Sequence, residues 1–181
     1  NPGLLLRCSR GHPAAGGRMT QEQQLREQLA KILDWGEAHA DFRTAVQDFP
    51  LDLRGEVPPG FSHSAWELLE HLRIALSDIV ESTRNARHKS PPWPKGYWPP
   101  LPTPPQDEAW DQCVQSILDS LEDMRALVLD RSRSLLDPLP RGQGQTLLRE
   151  ALLVADHNAY HLGQMVQLRK ALRAWPKDPA Q

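Results

Sequence analysis

His157 and His161 stand four residues apart in the run Asp156-His157-Asn158-Ala159-Tyr160-His161-Leu162-Gly163-Gln164. On a helix that spacing puts both rings on one face, one turn apart and within reach of a single ion. His71, in Trp66-Glu67-Leu68-Leu69-Glu70-His71-Leu72, belongs to a different apolar helix far away in sequence. Two ligands from one helix and one from another is a common way to build a metal site inside a bundle. Neutral imidazole suits zinc and nickel, and three imidazoles leave a fourth position for water or substrate. An open site of that kind lowers the pKa of bound water or thiol and polarises a substrate oxygen. On the last helix Glu150, His157, His161 and Gln164 fall close to one line, on a segment otherwise apolar around residues 147–155. A divalent ion gives that polar line a purpose.

Several familiar chemistries are missing. Asn158 occupies the place where a zincin metalloprotease carries its general-base Glu, so the peptidase reading lacks its catalytic residue. There is no Gly-rich phosphate loop, no GxSxG and no Glu-x-x-His pair of the di-iron type. His39, His63 and His88 lack a comparable setting, and His63, just ahead of a helix cap, reads as a surface or capping residue. Cys8 and Cys113 are the only cysteines and neither sits in a CxxC pattern, which excludes a disulfide framework and fits a reducing cytosol.

The 181 residues fit one domain with a real core. A formal charge of −2, with 24% charged residues, offers no global basic field for nucleic acid. No apolar run approaches the roughly 20 residues needed to span a bilayer. Residues 1–18 differ from the rest: Arg7, Arg10 and Arg18, no acid, four glycines and no periodic apolar pattern. They read as a disordered leader or upstream extension, with Cys8 and His12 as bystanders and Met19 opening the domain of residues 19–181.

Four helices must position the histidines. The first is expected over residues 20–48, from a Thr20/Gln23 capping box through Leu25, Leu29, Ile32, Leu33, Gly36, Ala40 and Val46. The second opens on a Ser64/Glu67 capping box and carries the stripe Ala65, Leu68, Leu69, Leu72, Ala75, Leu76, Ile79, Val80 and Thr83. His71 lies at the border of that stripe, about 100° from its centre, with Asp78 and Glu67 on the same flank. Residues 91–105 hold eight prolines with Trp93, Tyr97 and Trp98, so an extended, polyproline-like link draped over the bundle is expected, or a lid over the metal. The third helix is expected to start at a Thr103/Gln106 box with Pro104 at its first position, burying Ala109, Cys113, Ile117, Leu118, Leu121, Met124, Leu127 and Val128. Cys113 on that stripe reads as a buried thiol. The fourth runs over residues 146–175, with Arg169, Lys170 and Arg173 at its negative end. The reading is all-α: an antiparallel four-helix bundle with long, partly Pro-rich connections. His71 sits about 10 Å and His157 about 17 Å from the starts of their helices, which matches best if the second and fourth run parallel.

The segments at 63–72 and 156–164, in that order and spacing, resemble the DinB-like (YfiT-like) superfamily, over roughly residues 20–175. The resemblance implies a four-helix bundle whose metal is held by His71 from the second helix and by His157 and His161 from the last. Gly163 and Gln164 match the family's trailing H-x-G-Q. Such proteins include metal-dependent transferases and isomerases that use low-molecular-weight thiols, and the family name implies no DNA binding. The expected protein is therefore cytoplasmic, uses zinc or nickel on a small-molecule substrate, and activates a small thiol, with Gln164, Tyr160 or Glu150 orienting substrate or moving a proton. A hydrolase using bound water fits the same ligands. So does a non-catalytic, stress-related bundle that dimerises, in which Glu150 or Asp78 would close the metal's fourth position.

Overall fold

The computed structural model describes residues 19–34, 38–140 and 142–176. The expectations for residues 1–18, Cys8 and His12 among them, and for Gly36 fall outside these. Among the described residues the fold is all-α, with no strand: α1 Gln21–Ile32, α2 Phe42–Val46, α3 Ala65–Arg84, α4 Ala109–Leu129 and α5 Leu147–Ala171. The bundle is made by α1, α3, α4 and α5, with α2 packed on α5.

The expected first helix is two. α1 has its Thr20/Gln23 capping box and ends at a Leu33 cap, whereas Asp41 starts α2 by accepting from the Thr44 amide. Asp41 falls inside what looked like one continuous stripe, and its side-chain oxygen caps a new helix there. The stripe is also rotated: Leu25 and Ile32 are exposed, while Arg26 is buried. Arg26 donates to the carbonyls of Val128 (2.5 Å), Asp130 (3.1 Å) and Arg133 (2.5 Å), where α4 runs out of internal partners. A five-residue helix cannot stand alone in water. α2 is pinned by Arg169, which donates to Thr44, Ala45 and Asp48 carbonyls, and by the Trp110 indole N–H on the Val46 carbonyl. Arg169 serves the end of its own helix through the Ala174 carbonyl, as expected, and its buried guanidinium reaches α2 as well.

α3 forms as its sequence dictates, from the Ser64/Glu67 box through an apolar face that is buried or half-buried from Ala65 to Thr83. α4 does not start at Thr103. Its N-cap is Glu108, with no side-chain hydrogen bond. Residues 102–107 are occupied elsewhere: the Pro102 carbonyl accepts from Ser64 Oγ and the Asp107 carbonyl from Arg54 Nη1. Gly55 lies so close to Thr103 that a Cβ there would overlap its side chain. The Pro-rich connection is not simply extended either, since Lys95–Tyr97 forms a 3-10 turn.

The contacts also fix directions. Arg26 meets Val128 while Arg125 meets Ala30, so α1 and α4 are antiparallel. Cys113 lies against Leu69 and Asp123 against Arg84, so α3 and α4 are parallel, which the 85–108 connection is long enough to allow. Leu68 and Gln167 share one cavity and Asp78 and Glu150 another, so α3 and α5 are antiparallel. The parallel expectation measured both histidines from their helix starts, but His157 and His161 sit mid-helix, where either direction brings them level with His71.

Candidate metal centre

α3 and α5 cross with His71, His157 and His161 facing each other. His71 Nε2 lies 3.2 Å from His157 Nε2 and 3.1 Å from His161 Nε2. All three ligand atoms fall within 4.8 Å of one another, the one such group of His, Cys, Asp and Glu side chains among the described residues. A tetrahedral site with zinc–nitrogen bonds of about 2.0–2.1 Å has edges of about 3.3–3.4 Å, so the spacing suits such an ion.

The outer ring nitrogens leave the inner ones free to face a cation. His71 Nδ1 is 2.8 Å from the Tyr97 carbonyl, an oxygen that only accepts. His71 therefore carries its proton on Nδ1 and turns a lone pair inward. His161 Nδ1 is 2.7 Å from Gln164 Oε1, which places its proton outward as well. Two lone pairs facing each other at 3.1 Å repel unless a proton or a metal ion lies between them. His157 is less anchored: its Nδ1 is buried without a hydrogen-bond partner, and the Asn158 amide nitrogen beside it in sequence is also unpaired.

Electrostatics favour the ligand form. Burial lowers the proton affinity of His71 and His157, against a smaller opposing contribution at His71 from the Tyr97 carbonyl. Burial, followed by the neighbouring His157, pushes His161 down to about 4. At neutral pH the rings are uncharged, as metal coordination requires.

The connection before α4 walls the site. Trp98 stacks on His71 with ring centroids 4.1 Å apart and planes 7° from parallel, and on His63 at 4.0 Å and 17°. Two rings of that size cannot share one face of an indole at these separations, so Trp98 lies between them. Tyr97 contributes its carbonyl to His71 and its hydroxyl to Asp78 Oδ2 at 2.6 Å. Burial and this bond push the Tyr97 phenol up to about 12, so it stays a donor. Sequence reasoning placed this segment over the bundle but missed that Tyr97 and Trp98 anchor His71. The two aromatics inside a proline run were the available signal.

The remaining candidates separate. Gln164 touches the trio directly, and Tyr160, largely exposed, meets the His161 ring edge-on at 4.9 Å. Glu150 is buried two turns from His157 and paired with Arg149 Nη1 at 2.8 Å, outside the cluster. Asp78 serves Tyr97 and His88, and Glu67 accepts from the Ser64 amide. No carboxylate closes the cluster among the described residues. Cys113 is buried, as expected, and burial pushes its thiol well above the usual range.

No helix among the described residues is long and apolar enough to cross a membrane. Neither the curated proteins nor the solved structures contain a match to the chain. The family model described as DinB superfamily matches residues 34–165, a span that holds all three histidines and Gln164. With most of its length matched and a histidine trio between α3 and α5 of a helical bundle, the chain belongs to the DinB superfamily.

Proposed function

We propose that this protein is a divalent-metal enzyme, with His71, His157 and His161 as its protein ligands, that transfers a low-molecular-weight thiol to an electrophilic small molecule. The observation that carries the reading is the meeting of three neutral imidazole nitrogens with no fourth His, Cys, Asp or Glu donor among the described residues. A bound zinc or nickel ion would supply a Lewis-acidic position that lowers the pKa of a thiol.

The chain's own residues do the rest. Tyr97 and Gln164 hold protons on the outer nitrogens of His71 and His161, keeping the inner lone pairs available. Trp98 covers one face of His71 and keeps water from it. In the transfer, the thiol sulfur bonds to the electrophilic carbon, the leaving group departs with its electron pair, and the thiol proton ends on that group. Tyr160 and Gln164 stand where they can orient the acceptor. A hydrolase using water in place of the thiol needs the same residues. A purely structural ion is disfavoured because Glu150 and Asp78, the carboxylates expected to close such a site, lie outside the cluster and are engaged with Arg149 and with Tyr97 and His88.

The test is elemental analysis of the purified protein and of His157→Ala and His161→Ala, followed by a panel of thiols and electrophiles. One divalent ion per chain is expected in the parent and none in either variant, with helicity retained. Metal retained in both variants would remove the ligand assignment. Metal without turnover of any thiol would shift the reading to the hydrolase or to a non-catalytic role.

A further inference from the structure

A cavity of about 540 Å³ opens against Gln164, the hydrogen-bond partner of His161, between the loop ahead of α3 and the second half of α5. Phe61, His63, Tyr160, Gly163, Gln164 and Gln167 are among its lining, which contains no Asp, Glu, Lys or Arg. The cavity further along the α3–α5 groove is different in kind, lined by Asp78, Arg149 and Glu150. Its size falls in the range of small-molecule sites, which bury most of a ligand against apolar walls with a few placed polar groups.

The polar group that adjoins the trio is matched to an acceptor. Gln164 spends Oε1 on the His161 Nδ1–H, so its amide keeps two N–H donors. The Tyr160 and Ser62 hydroxyls and the Gln167 amide add further donors on the same lining. His63 stacks on Trp98 with its Nδ1 shut off from solvent, without a hydrogen-bond partner and 3.9 Å from Glu67. Gly163 sits in the interior of α5, where glycine is a poor choice. A Cβ built there meets nothing within 4 Å, so no packing contact demands the glycine. Its effect is to leave the cavity wall next to His161 and Gln164 without a side chain.

We infer that this cavity binds an uncharged small molecule with an aromatic or apolar body and a carbonyl-type acceptor, seated against Gln164 beside His161. It rests on the metal-enzyme reading for its role as the seat of the electrophile, though not for the binding itself. A thiol carrying carboxylates finds no cation among this lining and must approach the trio from elsewhere.

The probes are 2-naphthamide, 2-naphthoate and 2-naphthylmethylammonium, titrated into the full ¹⁵N-labelled chain while the Gly60 and Gly163 amides are followed, with metal content measured on the same sample. Naphthamide should shift both amides and bind at least about tenfold more tightly than either charged analogue. Gly163→Leu should weaken it about tenfold or more while metal content and helicity stay unchanged. Gln167→Trp, from an exposed position on the same lining, is the second block should Gly163→Leu fail to fold. Charged analogues binding as well as naphthamide, unchanged binding in the blocked variant, or no shift at Gly163 with any probe would each overturn the assignment. Metal present without naphthamide binding sinks the cavity alone, whereas naphthamide binding to a chain that takes up no metal sinks the enzyme reading alone.

Discussion

Gln164→Leu isolates the contribution of one outer hydrogen bond to metal affinity. Leucine is close in size and keeps the helix, but it removes the oxygen that accepts the His161 Nδ1–H at 2.7 Å. His161 is only 8% exposed, so the orphaned N–H has little water to turn to. A buried donor left unpaired costs about 1–3 kcal/mol, which corresponds to roughly 5- to 150-fold in a dissociation constant. Outer partners of metal-bound histidines are typically worth about 10–100-fold, which narrows the expectation to about 30-fold. Gln164→Glu keeps the acceptor, adds charge to it, and should hold or tighten binding. Competition for zinc against a chromophoric chelator at neutral pH reads both variants, with Gln167→Leu as the control one turn away. If the Leu variant binds zinc within about twofold of the parent, Gln164 does not orient His161 and the lone-pair argument fails at that ring.

Two further outcomes follow from the same geometry. For the metal-free protein, acidification should cost stability from the ordinary histidine pKa of about 6.5 down to about 4, where His161 titrates in the folded chain. In that window the unfolded chain binds the proton and the folded chain does not, so stability is full above it and lost through it; the loss for His161 is on the order of 2 kcal/mol after solvent screening, and His71 and His157 act in the same direction. Urea unfolding at stepped pH checks this, and a flat profile between those values would contradict the buried, neutral trio. Away from the site, Arg26→Met should destabilise by about 3 kcal/mol, because three carbonyls in the last turn of α4 and just beyond it lose their donor, and Arg26→Lys should recover little without the guanidinium fork. Equilibrium denaturation within about 1 kcal/mol of the parent would show that those carbonyls find other partners.

What could be read from the sequence depended on how local the determinant was. α3 was legible because its cap, its stripe and its length all lie within one uninterrupted segment. The α1–α2 break was hidden because Asp41 can cap a helix or decorate one, and the choice is made by packing against α5. Thr103, Pro104 and Gln106 spell a helix start, yet the backbone around them is held by Ser64 and Arg54 before a helix can form. Buried arginines are the same problem in another form. Arg26, Arg54 and Arg169 look like solvated charge in a sequence, and each is spent on main-chain carbonyls that only the fold brings within reach.

The histidine trio divides along that line. Its ligands are side chains at helical spacing, so they could be found by counting. What suits two of them to hold an ion is the placement of their protons, and there the two rings differ. The acceptor for His161 is Gln164, a side chain one turn on, legible as part of the H-x-G-Q run. The acceptor for His71 is the main-chain oxygen of Tyr97, which every residue type could supply and no motif marks. Only the path of the 85–108 connection sets that oxygen against the ring. Prolines at 91, 92, 94, 99 and 100 suit the task, since each fixes φ and removes a competing N–H around the presented carbonyl. The Pro-rich connection thus belongs to the candidate metal centre as much as the helices do. Grafting the three histidines onto a bare bundle would reproduce the ligands and leave His71 free to take the wrong tautomer.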